Sequence, residues 1–204
     1  REIKHLYKTD RYDLAMLLVT FITTLGFGIE KGLLTGVALS ILMIILKTTR
    51  PHYAILGQVS SGVYRNVKRF PKAQTREDVL IFRFDARIYF ANVQFLQDKL
   101  EEETLKKGAS LKHIIIDTES INDIDSSGMH LLWDLAKSFK EKGIQIHYTG
   151  IKGPVRDKMA KAGYNDFVGS ENFHLRISDA EDSLKSIDQT SNRDDEVLFQ
   201  NQDD

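Results

Sequence analysis

The sequence of 204 residues contains no cysteine, has three prolines and carries a formal net charge of -1. Without cysteine the chain cannot form disulfide scaffolds, Cys-ligated zinc sites or thiol-dependent active sites, and its composition fits a reducing compartment. The nearly balanced charge argues against a dedicated nucleic-acid-binding protein, because neutralising several phosphates needs a marked basic excess. A chain that is 42% apolar and 28% charged is also neither collagen, coiled coil nor generally disordered.

The apolar residues are concentrated near the beginning of the chain. In residues 14–46, 22 of 33 positions are aliphatic, aromatic or Met, and the charges there are the adjacent Glu30 and Lys31. A single helix of that length would measure about 50 Å, whereas the hydrocarbon core of a bilayer is about 30 Å thick. We therefore predict a break at Gly26-Phe27-Gly28. The predicted membrane helices are Tyr12–Leu25, which is short for a full span, and Ile29–Thr48.

Basic residues flank both outer ends of this predicted hairpin. Lys4, Lys8 and Arg11 precede it, and Lys47 and Arg50 follow it. Because cytoplasmic flanks of membrane helices are enriched in Lys and Arg, both outer ends are expected on the cytoplasmic side. A hydrophobic hairpin buried inside a soluble protein is the alternative, and the scarcity of polar residues argues against it. The chain has no initiator Met, so we interpret it as a segment of a longer integral membrane protein in contact with the lipid bilayer.

Small residues recur every four positions on the second predicted helix, at Gly28, Gly32, Gly36 and Ser40. Residues four apart lie on one face of a helix, and small residues on a face allow another backbone to approach closely. The spacing therefore predicts a helix-packing face. Tolerated flexibility is the alternative explanation for the same glycines.

After Arg50-Pro51 the pattern changes to short β-type runs that alternate with amphipathic helices. This alternation predicts an α/β fold with a mostly parallel sheet. We expect three parts: membrane helices in residues 1–50, a cytoplasmic domain in 51–187 and a disordered acidic tail in 188–204. The predicted strands are Tyr53–Val59, Val79–Phe84, Ile88–Phe90, Leu111–Asp117, Ile144–Thr149 and His174–Ile177, and the predicted helices are Val93–Lys107, Gly128–Lys142, Pro154–Ala162 and Ala180–Ile187.

The most informative local motif is Asp125-Ser126-Ser127-Gly128, which follows a buried strand and opens an amphipathic helix. A serine at a helix start can cap the free backbone N–H groups. A phosphorylated serine would also suit this position, because the helix dipole favours negative charge there. Asp125 could assist phosphorylation, orient the serine or bind the loop backbone. These residue types alone favour a structural cap over regulation.

No enzyme, metal or cofactor motif stands out elsewhere in the chain. The six histidines do not form a convincing metal set, and neither a phosphate-binding loop nor a nucleophile elbow occurs. We therefore expect no enzymatic activity, no cofactor and no metal. A basic cluster at Arg65, Lys68, Arg69 and Lys72 falls in a predicted loop near the membrane segment. Such a cluster is usually a solvated stretch, and low-affinity contact with anionic lipid is the alternative.

The combination of these motifs resembles the SulP sulfate-permease family of anion transporters. The resemblance covers roughly residues 13–187 and rests on the terminal apolar hairpin followed by a set of short motifs. These are Arg50-Pro51-His52, Leu56-Gly57, the run from Ile81-Phe82-Arg83-Phe84-Asp85 to Tyr89-Phe90-Ala91-Asn92, and Asp125-Ser126-Ser127-Gly128. The chain is similar to the last two membrane helices of such a carrier followed by its STAS domain.

This resemblance implies secondary active transport of sulfate, bicarbonate or a related anion by a dimeric carrier with inverted repeats. In the family the anion site is built by earlier helices, so no substrate ligand is expected in this segment. The terminal helices belong to the gate or scaffold domain, and the remainder of the membrane domain would be their partner. The resemblance also implies a STAS-type mixed sheet packed by helices, with a regulatory protein as a possible ligand of its surface.

In bacterial anti-sigma factor antagonists, which share this domain, a serine of the matching loop is phosphorylated. By that resemblance Ser127 is the first candidate for phosphorylation and Ser126 the second. A membrane-tethered STAS signalling module that binds a protein partner without transport is the alternative function. Further hydrophobic spans upstream would favour the carrier.

Overall fold

The computed structural model describes residues 11–186 of the chain. Two compact units meet between Arg50 and Pro51. The predicted acidic tail, residues 188–204, and the flanking Lys4 and Lys8 lie outside the described residues. Each unit is described by itself below.

From residue 11 onwards, the first unit contains two helices that pack against each other, α1 (Arg11–Phe27) and α2 (Ile29–Thr49). Gly28 separates them with a φ of 90°, a backbone conformation that residues with a side chain rarely adopt. The predicted break at Gly26-Phe27-Gly28 is therefore too wide, because Gly26 and Phe27 still belong to α1. A glycine inside a helix costs stability without ending it, whereas the left-handed conformation of Gly28 ends the helix.

Most of the surface of this helical pair is apolar and exposed. In α2, Ile29 is 81% exposed and Leu33 is 66% exposed, and Gly32 is its one buried residue. With 21 residues, α2 is the one helix in the described part of the chain that is long and apolar enough to cross a membrane. Helix α1 has 17 residues, three more than the sequence predicted. Large contiguous apolar surfaces of this kind are rare on soluble proteins.

The second unit is a six-stranded sheet with helices on both faces. Its strand order is β2-β1-β3-β4-β5-β6, in which β1 pairs antiparallel with β2 and β3 while the remaining neighbours are parallel. The strands are β1 (Tyr53–Ser60), β2 (Val63–Asn66), β3 (Val79–Phe84), β4 (His113–Asp117), β5 (Gln145–Thr149) and β6 (Phe173–His174). The helices are α3 (Val93–Lys107), α4 (Ser126–Glu141), α5 (Gly153–Lys161), α6 (Tyr164–Val168) and α7 (residues 177–186).

Two hydrophobic cores hold the helices against the sheet. Strands β3 and β4 are apolar on both faces, which is the pattern of strands covered on both sides. Phe82, Ile114 and Ile116 point into the larger core, formed with α3, α4 and α5, whereas Ile81 and Ile115 point into the smaller core with α7. Every buried core residue lies between positions 54 and 184. The second unit therefore contains the cores that it needs to fold by itself.

The predicted strand Ile88–Phe90 is wrong. Ile88 forms a single parallel bridge with Ile124, and the chain then turns into α3. The side chain of Asn92 stabilises this turn, because its Oδ1 accepts from the Tyr89 N–H at 3.0 Å and its Nδ2 donates to the Arg87 carbonyl at 2.9 Å. The Asn92 side chain thus occupies backbone groups that would otherwise form hydrogen bonds with a neighbouring strand.

Other differences concern short elements at the edges of the sheet. The sequence did not predict β2 or α6. The predicted strand His174–Ile177 is wrong except for His174, because β6 is Phe173–His174 and α7 begins at position 177. By contrast, the predicted bounds of Val93–Lys107 and Val79–Phe84 agree with α3 and β3. These two elements have strong periodicity and many buried residues, whereas short edge strands have neither.

Candidate functional site

The start of α4 brings together the residues that the sequence singled out for regulation. Asp125, not a serine, caps this helix, because its Oδ1 accepts from the Gly128 N–H at 2.8 Å. Its second oxygen, Oδ2, accepts from the Phe90 N–H at 2.9 Å. Capping by serine was therefore the wrong assignment within a correctly located motif. One carboxylate fastens the α4 helix start to the loop that follows β3.

Two backbone hydrogen bonds reinforce the same junction. The Ile88 N–H donates to the Asp123 carbonyl at 3.1 Å, and the Asp125 N–H donates to the Ile88 carbonyl at 3.1 Å. Gly128 is buried beneath this crossing. The loop after β3 and the loop before α4 consequently form one ordered surface.

The two serines lie on the outer side of this surface, in the first turn of α4. Ser126 is exposed and Ser127 is half-buried. Backbone N–H groups at a helix start attract an anion, although the Asp125 carboxylate already uses the Gly128 N–H. A phosphate here would need additional positive charge to offset repulsion from Asp125.

Lys158 supplies a cation beside this loop, and sequence reasoning missed it. Its Nζ donates to Asp123 Oδ1 at 2.7 Å and to the Ile124 carbonyl at 2.8 Å. This hydrogen bond with Lys158 is the main cause of a lowered pKa for the Asp123 carboxyl. Lys158 is distant in sequence, on α5, and no local pattern marks it as part of the site.

Phe90 provides an apolar side chain next to the serines. It is 72% exposed even though its backbone N–H is bound by Asp125. The Tyr89 ring packs against it edge to face with centroids 5.4 Å apart. An ordered loop that presents an exposed aromatic ring beside hydroxyl groups has the chemistry of a protein-binding surface.

In the first unit, the predicted small-residue face divides into different environments. Gly32 lies directly against Thr24, and Gly36 lies against Thr20 of α1. Gly28 is the inter-helix break and has no atom near the position of a Cβ, and Ser40 is exposed. Close approach of α1 therefore occurs at the middle two positions of the four.

Three histidines stand side by side on neighbouring parallel strands. Nδ1 of His113 lies 3.2 Å from Nε2 of His147, and the rings of His147 and His174 have centroids 5.7 Å apart. His147 is 3% exposed. Burial, followed by the charges of His113 and His174, lowers its pKa to about 4. Within residues 11–186, no three His, Cys, Asp or Glu side chains are arranged to hold a metal ion.

Acidification is expected to destabilise the second unit through His147. Its folded-state pKa lies below the ordinary value of 6.5, so the unfolded chain binds this proton more tightly, and stability is lost as pH falls from about 6.5 towards 4. At about pH 5 the loss from this residue is about 2 kcal/mol. Burial also lowers the pKa of His174, which acts in the same direction.

Urea unfolding of residues 51–187 at several pH values measures this effect. His147→Gln should reduce the acid-induced loss of stability, whereas His130→Gln, at an exposed position of α4, should leave it unchanged. An identical pH dependence in the His147→Gln variant and the unmodified domain would contradict the assignment.

Comparison with known proteins identifies the fold and its family. Residues 70–180 match the sequence model of the STAS domain, and the chain belongs to this family. The resemblance to sulfate permeases is also confirmed, because the similarity to sulfate transporters extends through the helical pair. The chain is 36% identical over 185 residues to probable sulfate transporter 4.2 of Arabidopsis thaliana, with 86% of this chain and 27% of the relative covered.

Two further relatives agree with this assignment. Sulfate transporter 4.1, chloroplastic, of the same plant is 33% identical over 203 residues, which cover 95% of this chain and 30% of the relative. In fold, the chain matches the murine solute carrier 26 family member A9 anion transporter with a TM-score of 0.78 at 24% identity, over 90% of this chain and 30% of that one. The chain thus spans less than a third of the length of these relatives.

Proposed function

We propose that this chain is the C-terminal portion of a secondary active anion transporter, with sulfate as the first substrate to test. The similarity to sulfate transporters over both the helical pair and the STAS domain carries this proposal. A shared STAS domain alone would fit many proteins, because a fold does not define a function. The exposed apolar surface of α2 supports a membrane environment for the helical pair.

In this proposal the two units have different tasks. The helices α1 and α2 belong to the gate or scaffold part of the membrane domain, where they contact lipid and the remainder of the transporter. The STAS domain lies on the cytoplasmic side with both ends of the segment, and the complete carrier is a homodimer. Transport itself requires the missing helices that hold the anion, so the segment alone does not transport.

The STAS domain then acts as a regulatory and interaction domain. Phe90 and the exposed first turn of α4 form its proposed contact surface for a regulatory protein. Phosphorylation of Ser127, or secondarily Ser126, would add about two negative charges beside Asp125. The added charge would weaken an apolar contact through Phe90 and attract Lys158 away from Asp123.

Flux measurements on the complete carrier test the transport proposal. The full-length protein is reconstituted in proteoliposomes, and uptake of labelled sulfate is measured with bicarbonate and other anions as competitors. We expect saturable sulfate uptake that a carrier lacking the two final membrane helices does not show. Correctly inserted protein that moves none of the anions would contradict the proposal and favour a membrane-tethered signalling module.

The regulatory part has a separate readout in the same system. Mass spectrometry of the carrier from native cells should find phosphate on Ser127 or Ser126, and the double variant Ser126→Ala/Ser127→Ala should change uptake in those cells. Absence of phosphate together with normal uptake by the double variant would remove the serine proposal and leave the transport proposal intact.

A further inference from the structure

The strongest charged feature outside the α4 start is a turn that we call the basic turn, residues 65–72. Its cations are Arg65, Lys68, Arg69 and Lys72, all exposed, and residues 61–76 contain no Asp or Glu. In the described part of the chain, none of these four cations forms an ion pair with a carboxylate. Phe70 lies among them with 46% of its surface exposed.

The basic turn is ordered by its own hydrogen bonds. The Asn66 side-chain Oδ1 accepts from the Lys68 N–H at 2.8 Å, and the Asn66 carbonyl accepts from the N–H groups of Arg69 at 3.0 Å and Phe70 at 2.9 Å. The Phe70 carbonyl accepts in turn from the Ala73 N–H at 2.9 Å. Because the backbone is already fixed, binding through this turn pays little conformational entropy.

The basic turn is attached to the beginning of β1. The Val67 N–H donates to the Ile55 carbonyl at 3.0 Å, and Lys68 Nζ lies 5.8 Å from the centre of the Tyr53 ring. Tyr53 begins β1 and follows the last residue of α2, Thr49, by four positions in sequence. The chain therefore enters the second unit at the end of the sheet that carries the basic turn.

A shallow pocket of about 320 Å³ lies on the same end, lined by the basic turn and by His52. Its one carboxylate, Asp85, is already engaged: Arg83 donates to it twice, at 2.8 and 3.1 Å, and His52 Nδ1 lies 2.6 Å from it. The charges of Arg65 and Arg69 are therefore not offset within the pocket. An anionic phosphate group fits this chemistry.

We propose that the basic turn binds anionic phospholipid headgroups of the bilayer that α2 enters, with the Phe70 ring inserted at the interface. This inference rests on the proposed function, because it needs α2 to be a membrane helix. Cations beside an exposed aromatic ring combine electrostatic attraction to anionic lipid with apolar burial. The short connection from Thr49 to Tyr53 favours lipid over a soluble polyanion as the ligand.

Sedimentation with lipid vesicles tests the proposal on residues 51–187, which contain their own cores. We expect binding to vesicles of phosphatidylcholine with about 30% phosphatidylserine, weak binding to phosphatidylcholine alone, and release at high salt. Each cation near an anionic surface contributes a factor of about five in affinity, so Lys68→Gln/Arg69→Gln should weaken binding about 25-fold. Phe70→Ser should also weaken binding to the anionic vesicles at low salt, because it removes the apolar ring that would be buried at the interface.

A matched control removes the same two charges elsewhere. Arg156→Gln/Lys161→Gln alters one Arg and one Lys at exposed positions of α5 and should change vesicle binding by less than about twofold. Equal weakening by both double variants would show an effect of net charge alone and overturn the proposal. Equal binding to both kinds of vesicle, or tighter binding to a short RNA than to anionic vesicles, would overturn it as well.

The outcome is separable from the test of transport. A carrier that transports sulfate while its STAS domain ignores anionic vesicles rejects the lipid contact and keeps the proposed function. If the first unit does not insert into membranes, the proposed function is contradicted, whether or not the STAS domain binds anionic vesicles. In a full-length carrier in nanodiscs, amides of residues 67–70 should exchange hydrogen more slowly with anionic than with zwitterionic lipid.

Discussion

In the proposed carrier, replacing Gly32 by leucine is expected to separate α1 from α2 and to lower sulfate uptake about tenfold or more. A side-chain carbon at Gly32 would lie 2.8 Å from Cβ and 2.9 Å from Cα of Thr24. The Cα belongs to the backbone of α1 and cannot rotate away, so the helices must move apart. Helix association in lipid depends on this close packing, and a loss of about 1.4 kcal/mol already corresponds to a factor of ten.

Gly26→Ala is the matched control for this variant. Gly26 lies inside α1 with a helical backbone and has no neighbouring atom within 4 Å of the added carbon. We expect normal uptake from this variant and normal amounts of protein in the membrane for both variants. Gly36→Ala should fall between them, because its added carbon would lie 3.2 Å from the Thr20 methyl group, which can shift slightly. Full uptake by Gly32→Leu would show that α1 and α2 do not need to stay in contact.

The contrast between these glycines also shows what the sequence could predict of the helical pair. Four-residue spacing predicts that Gly28, Gly32, Gly36 and Ser40 share one helical face, but Gly28 lies before the start of α2. Contact along that face depends on where the neighbouring helix turns and how it crosses, and neither quantity is encoded in a spacing. Close approach to α1 was therefore predictable as a type of contact, whereas its restriction to Gly32 and Gly36 was not.

The same distinction applies to the start of α4. Asp125, Ser126 and Ser127 are all residue types that cap helices, so composition could locate the cap only to within two positions. Asp125 is the capping residue because its second carboxylate oxygen also accepts from the Phe90 N–H, which lies 35 residues earlier in the chain. A serine side chain has one oxygen, so it lacks the two separate acceptor atoms that Asp125 directs at the two N–H groups. Long-range hydrogen bonds of this kind are invisible to local patterns.

For the basic turn, the predicted loop is confirmed for Lys68, Arg69 and Lys72, which lie outside any strand. Arg65 lies instead in β2, a four-residue strand at the edge of the sheet that the sequence did not predict. Pairing of Leu56 with Asn66 fixes the end of β2 and thereby positions the turn beside Tyr53. A cluster in a flexible loop would have no defined surface, whereas the observed turn presents its charges in one place.

The second large effect is expected from Gly128→Val, which should lower the stability of the STAS domain by about 3 kcal/mol. A side-chain carbon at Gly128 would lie 2.7 Å from Cγ1 of Ile124, 2.8 Å from Cγ2 of Ile88 and 3.1 Å from the Ile88 carbonyl oxygen. Both isoleucines are buried, and their backbones form the bridge that joins the two loops. Relief of the overlap therefore requires the bridge to open.

Valine at this position should also disturb the candidate regulatory surface, because Asp125 binds Gly128 and Phe90 across the same junction. We expect lower midpoints of thermal and urea unfolding for residues 51–187. Hydrogen exchange should also be faster at the backbone amides of positions 90 and 128. Gly128→Ala should lower the stability less than Gly128→Val. Alanine adds only the first side-chain carbon, and its higher helix propensity offsets about 1 kcal/mol of the resulting overlap.

Gly153→Ala provides the matched comparison, because Gly153 begins α5 and has open space around the added carbon. Its expected effect on stability is neutral or slightly favourable. If Gly128→Val were as stable as Gly153→Ala, the junction of Ile88 and Ile124 would have to be loosely packed. In that case Asp125 could not hold the loop before α4 and the Phe90 loop as a single surface, and this junction could not serve as the proposed contact surface of the STAS domain.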